Sequence, residues 1–137
     1  MTSKIGLLPL FGLVSLLALI HSQAQSQSPP TQDTREMDAK LEAIVIPTIA
    51  FNDTPVREAF DFLRDQSKAH DKSAGAQGKG VGFVLKLDDE QASRLVTLNL
   101  DEVPLRDALR YVCTLANLKY RVEPHAILVV NLLDPSF

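Results

Sequence analysis

Two stretches 49 residues apart decide how this chain folds: Phe51-Asn52-Asp53-Thr54-Pro55-Val56-Arg57-Glu58-Ala59-Phe60 and Leu100-Asp101-Glu102-Val103-Pro104-Leu105-Arg106-Asp107-Ala108-Leu109. They match in kind at nearly every position. Each closes an apolar strand, passes through acidic residues suited to a turn, and reaches a proline followed by an apolar residue, an arginine, an acid, an alanine and another apolar residue. Proline suits the first helical position because its missing N–H would have no partner there and its fixed φ is already helical. Both prolines are therefore expected to start helices. The hydroxyl of Thr54 is placed to cap the first helix; Val103 has none, so the second start rests on Pro104 and the acids around it.

The helical periodicity that follows each proline sets the core faces. Helix one is expected from Pro55 to Ala69, with Val56, Ala59, Phe60 and Leu63 on one face and Arg57, Glu58, Asp61, Arg64 and Asp65 on the other. Helix two is expected from Pro104 to Ala116, burying Leu105, Ala108, Leu109, Val112 and Ala116, with Asn117 as a left-handed stop. Period-two stretches surround them. Strand one runs from Ile46 to Phe51, and Pro47 marks it as an edge or a strand start. Strand two spans Val81 to Leu87 and strand three Leu95 to Leu100, each with alternate apolar residues on one face. Leu118, Tyr120 and Val122 alternate with Lys119, Arg121 and Glu123, then Pro124-His125 turns the chain into the apolar run from Ala126 to Asn131, which reads as a hairpin.

The expected order is β-α-β-β-α-β-β, two βαβ-like halves of an α+β fold with two helices packed on small sheets. Gly75, Gly78, Gly80 and Gly82 mark the loop from Asp71 to Gly80 as exposed and mobile.

Composition fits one such domain. Apolar residues make up 45% of the 137 and charged residues 23%, the balance of a globular chain. The net charge of −3, with no segment rich in Lys and Arg, argues against nucleic acid as a partner. Cys113 is the only cysteine, so one chain can form no internal disulfide and no cysteine-based zinc site. Its place next to Val112 on helix two reads as a buried thiol.

The ends of the chain read differently from the middle. Lys4 followed by the sixteen-residue run from Ile5 to Ile20, and then by His21-Ser22-Gln23-Ala24, has the form of a cleavable signal peptide over residues 1–24. A spanning helix needs about 20 apolar residues, and Pro9 interrupts this run, so an uncleaved anchor is the weaker reading. Cleavage after Ala24 removes Lys4 alone among the charges, leaving 13 basic residues against 17 acidic, a net −4. Residues 25–39, rich in Gln, Ser, Pro and Thr, read as a flexible linker. Residues 40–133 read as the domain and 134–137 as a tail.

The duplicated Thr54 to Phe60 and Val103 to Leu109 helix starts, the order of elements, and Leu115-Ala116-Asn117-Leu118-Lys119-Tyr120-Arg121-Val122 as a helix exit into a hairpin are together similar to a known family. From about Leu41 to Asn131 the chain resembles the short N-terminal domain shared by outer-membrane secretins and signal-transducing TonB-dependent receptors. That resemblance implies a periplasmic protein that binds no cofactor and works by contact with other proteins or with copies of itself. Two departures stand out: no pore, barrel or plug follows Phe137, and the Gly-rich insertion after helix one is longer than the family's.

No catalytic, cofactor or metal residue is expected. Gly75 to Gly82 follows a helix and leads into a strand, the reverse of a phosphate loop, and Gly80 stands where the hydroxyl should be. His70 and His125, the two histidines after residue 24, have no second ligand at metal spacing. Asp88-Asp89-Glu90 lacks the alternation of a calcium loop, and no serine sits in a nucleophile elbow. Asn52-Asp53-Thr54 fits a glycosylation triplet, but Pro55 follows it and capping explains the threonine. The expectation is therefore an exported, non-enzymatic interaction module, with an envelope protein or a second copy as partner, periplasmic or secreted. It would dock through an exposed strand edge or a helix face, with strand one and the final hairpin as the candidate edges. The alternatives are a small ligand- or metal-binding protein or enzyme with an unrecognised site, or a truncated remnant of a larger envelope protein.

Overall fold

A computed structural model describes residues 31–73 and 78–136. The expected signal peptide, residues 25–30 of the expected linker, and Gly75 lie outside them.

The two repeated stretches form one paired unit. Strands β1 (Val45–Pro55) and β3 (Leu95–Pro104) run antiparallel, with Val45 opposite Pro104 and Pro55 opposite Leu95. Each strand thus begins beside the proline that ends the other, an approximate two-fold relation. Helix α2 (Val56–His70) follows β1, and α4 (Leu105–Leu115) follows β3. Asp53 (φ 47°) and Glu102 (φ 53°), 49 residues apart like the rest of the repeat, both take the left-handed conformation that turns strand into helix. For a non-glycine residue that conformation costs about 1–2 kcal/mol.

The helix starts differ from expectation by one residue. Pro55 and Pro104 are N-caps, with ψ of 142° and 145°, and neither helix has a side-chain cap. The Thr54 hydroxyl instead accepts from the Asn52 N–H at 3.1 Å. What replaces the cap is tertiary: the Val56 N–H donates to the Arg94 carbonyl and the Leu105 N–H to the Ile44 carbonyl, both at 2.8 Å. The first unsatisfied amide of each helix is thus answered by the carbonyl just before the opposite strand.

The strands after the helices do not return to β1 and β3. Strands β2 (Phe83–Lys86), β4 (Leu118–Val122) and β5 (Ile127–Asn131) build a second sheet in the order β2-β5-β4, with β2 parallel and β4 antiparallel to β5. Helix α2 contacts both sheets, through Phe62 against Phe51 with ring centres 5.3 Å apart and through Phe60 against Phe83 at 5.4 Å. One core results, in which Val56, Phe60, Leu63, Leu105, Leu109 and Val112 are fully buried. Asn117 takes φ 56° just past α4, as expected of its stop. The α+β class and the order of the expected elements hold. Val81, expected in strand two, is buried just before β2.

Two helices were not legible. Helix α1 (Gln32–Ala43) occupies most of the stretch expected to be linker. Thr31 caps it by accepting from the Thr34 N–H, and Met37 and Leu41, spaced by four, are buried against the domain. The polar composition of the window hid this short apolar stripe. The expected acidic loop at Asp88 holds the one-turn helix α3 (Asp89–Ala92), where Asp88 and Gln91 cap each other reciprocally.

The left-handed corner gives a test. Glu102 is exposed and sits at positive φ, so Glu102→Gly relieves backbone strain while adding unfolded-chain entropy. The net expected effect is unchanged or higher stability, by up to about 1 kcal/mol. In urea denaturation, a loss above that size would show that the corner is held by the Glu102 side chain.

Candidate functional site

Strand edges are where a small split sheet exposes unpaired backbone groups, and the five strands differ in how their edges are treated. Strand β5, half of the expected final hairpin, is paired on both sides and offers none. Its partner β4 has helix α1 packed beside it. Strands β1 and β3 have free borders, but Pro47 removes a donor, and Asp53 and Glu102 break the regular extended backbone. Such features keep edges from pairing with other chains. Strand one is therefore a poor candidate despite its free border.

Strand β2 is different. Ile127 donates its N–H to the Gly82 carbonyl at 2.8 Å, and the parallel register with β5 continues from Phe83 to Lys86. In a parallel ladder alternate residues face the partner, so the backbone groups of Phe83 and Leu85 point away from β5. Among the described residues no strand covers them.

A groove follows that edge. Its middle section, of about 420 Å³, lies between Phe83, Leu85 and Leu87 on the strand side and Arg57, Asp61 and Arg64 on the polar face of α2, with Ala92 of α3 closing one end. Arg64 joins it to a recess of about 330 Å³ lined by Lys68, Lys79, Gly80, Gly82 and His125, with the buried Met37 and Val81 among its walls. Leu85 and Leu87 join it at the other end to an open hollow of about 540 Å³ beside Asp88, Gln91 and Asn131. Three hollows with shared lining residues thus form a furrow that passes the strand.

A buried polar cluster fixes the start of this furrow. Lys40 of α1 and Asp71, whose side chains are only 3% and 2% exposed, form an ion pair at 3.2 Å. Asp71 also accepts from the Ser73 N–H (2.8 Å), the Ser73 hydroxyl (2.5 Å) and the Gly80 N–H (2.8 Å), and Lys40 donates to the Gly78 carbonyl. Burial alone would push the Asp71 carboxyl up, but the Ser73 hydroxyl, the two amides and Lys40 together hold it well below the ordinary carboxylate range. One helical turn back, the Ser67 hydroxyl donates to the Arg64 carbonyl at 2.7 Å and accepts from the Val81 N–H at 2.9 Å.

Gly80 makes that anchoring possible. It sits at φ +82°, and a Cβ there would fall 2.5 Å from Cγ of Lys68 and 3.0 Å from the Ser67 hydroxyl. The glycine-rich stretch expected to be mobile is therefore pinned at Asp71–Ser73 and at Gly78–Val81. Sequence reasoning missed Lys40 and Asp71 as a pair because they lie 31 residues apart along the chain.

The other singled-out residues do not converge on a reactive centre. Cys113 is buried in α4, and desolvation pushes its thiol up to about 12. His70 is half-buried at the last position of α2, and His125 is exposed in the β4–β5 turn. Among the described residues no three His, Cys, Asp or Glu side chains gather where they could hold a metal ion, and no helix is long and apolar enough to cross a membrane. Comparison with protein-family models, with curated proteins and with solved structures returns no match. Function has to be read from the furrow.

Proposed function

We propose that this chain is an exported, non-catalytic binding module of the cell envelope, and that it takes an extended segment of a partner protein onto the free edge of β2. The observation that carries this reading is the pairing of two features at one place: outward backbone groups at Phe83 and Leu85, and a groove beside them with an apolar wall from the strand and a charged wall from α2. Added strands gain affinity from main-chain hydrogen bonds and specificity from side-chain pockets next to the edge. Envelope location follows from the signal-peptide pattern of residues 1–24 and from the resemblance to secretin and receptor N-terminal domains. A second copy of the chain, pairing β2 with β2, is the same mode with a different occupant.

Photo-crosslinking in the native envelope tests it. A crosslinking residue at Leu87 or Arg57, on the walls of the groove, is expected to give one defined protein adduct or a homodimer band. The same residue at Thr48, exposed on β1, is expected to give none. Adducts from Thr48 and none from the groove would refute the site. The mature chain recovered from the same cells is expected to begin at Gln25, as read by intact mass.

A further inference from the structure

The repeat makes the two sides of the domain comparable. Arg57 near the start of α2 and Arg106 near the start of α4 are 49 residues apart and occupy the same place in the repeated corner. On the α4 side the chain packs its own helix α1 against α4 and β4, and Arg106 holds the Asp38 carboxylate of that helix at 2.5 Å. On the α2 side the described residues supply only the one-turn α3, whose Ala92 lies 49 residues after Ala43 of α1, and Arg57 is exposed on the wall of the groove beside β2. One of two related arginines is therefore paired with acids of the longer α1, and the other stands beside the short α3 without such a pair.

Basic side chains stand at both ends of this groove. Arg57 stands near one end of the groove, and Arg64, Lys68, Lys79 and His125 gather at the other. These four come from α2, the glycine-rich loop and the β4–β5 turn, and the close seat of Gly80 on α2 brings Lys79 beside Lys68. At the Lys68 and Lys79 end the acids are largely committed: Asp61 pairs with Arg64 at 2.6 Å, Asp71 with Lys40 and Glu123 with Arg121, with Asp65 of α2 exposed. Toward the Arg57 end, Glu58 of α2 and Asp88, Asp89 and Glu90 at α3 are exposed. Among the described residues Arg57, Lys68 and Lys79 have no carboxylate partner. A group of unanswered cations on a chain of net charge −3 is a local field with a specific use.

We infer that the segment received by β2 is acidic: its carboxylates pair with Arg57 at one end of the groove and with Lys68 and Lys79 at the other, as Asp38 of α1 pairs with Arg106. The inference rests on the β2-edge reading and adds the chemistry of the partner to it. A protein segment is favoured over a phosphate-rich polymer because the cations stand beside an exposed strand edge and its apolar side chains, and that edge is of use only to another backbone.

The test uses the mature chain and two acetylated, amidated ten-residue peptides with a core of alternating Val and Thr. One carries two glutamates at each end and the other two glutamines. Isotope-edited NMR titration at low salt is expected to show both peptides shifting the Phe83 to Lys86 amides, with the glutamate peptide bound about tenfold more tightly. Raising the ionic strength is expected to shrink that ratio, and an Arg57→Gln/Lys68→Gln/Lys79→Gln variant to abolish it. Equal binding of the two peptides would overturn the acidic preference and leave the edge reading standing. Binding of neither would overturn both. Tighter occupation of the Lys68 and Lys79 region by inorganic phosphate, or by phosphatidylglycerol vesicles, than by the glutamate peptide would make it a phosphate site and overturn the proposal.

Discussion

Asp71→Ala is expected to lower the unfolding free energy by about 3–5 kcal/mol, because it leaves the Lys40 ammonium buried without its counter-charge. The same change also strips the Gly80 and Ser73 amides of their acceptor. Lys40→Met in the Asp71→Ala background is expected to recover part of the loss, since removing the stranded charge removes the largest cost and leaves only the orphaned amides, at about 1–3 kcal/mol each. Urea denaturation of the two single variants and the double measures this directly. If the single effects are each below about 1 kcal/mol and simply add, the ion pair is not the anchor described above.

The pH dependence of stability follows from the same group. The folded-state carboxyl of Asp71 lies below its ordinary 3.8, so its contribution is fully present above that pH and is lost as pH falls through it toward the folded value. Wild-type protein is expected to lose stability more steeply below about pH 3.8 than an Asp71→Asn variant, which has no carboxylate to protonate there.

The repeated corners were legible because everything that makes them is local. Proline, the acids before it and the apolar spacing after it act within ten residues, and the left-handed Asn117 likewise follows from its place after an apolar helical stripe. The furrow was not legible, because its parts meet only in three dimensions. Strand β2 pairs with β5 across more than forty residues, and parallel pairing has no turn to announce it. The basic residues at its mouth come from positions 64, 68 and 79, so no basic run marks them in the sequence. Helix α1 failed for a different reason: its window is polar on average, and the burial of Met37 and Leu41 depends on a surface that the rest of the chain supplies. The positions that sequence reasoning placed at the borders of the fold, strand one and the final hairpin, were natural guesses from chain order. Chain order does not predict that the last strand is inserted between the two others.

Leu85→Pro is expected to abolish the groove adducts while the domain stays folded. The N–H that proline removes points away from β5, toward the position an added strand would take, so the β2–β5 ladder keeps its hydrogen bonds. The half-buried leucine side chain is also trimmed, at a cost of about 1–2 kcal/mol, and Leu85→Ala controls for that. The alanine variant keeps the N–H and is expected to keep the adducts. Val84→Pro is the converse case: the Val84 N–H faces β5, its loss breaks the ladder, and destabilisation of about 3 kcal/mol or more is expected with no selective effect on binding. The three substitutions separate an edge that recruits a partner from a strand that merely holds the core together. If Leu85→Pro and Leu85→Ala lose adducts alike, the side chain and not the backbone makes the contact, and the added-strand mode is wrong even if the groove is occupied.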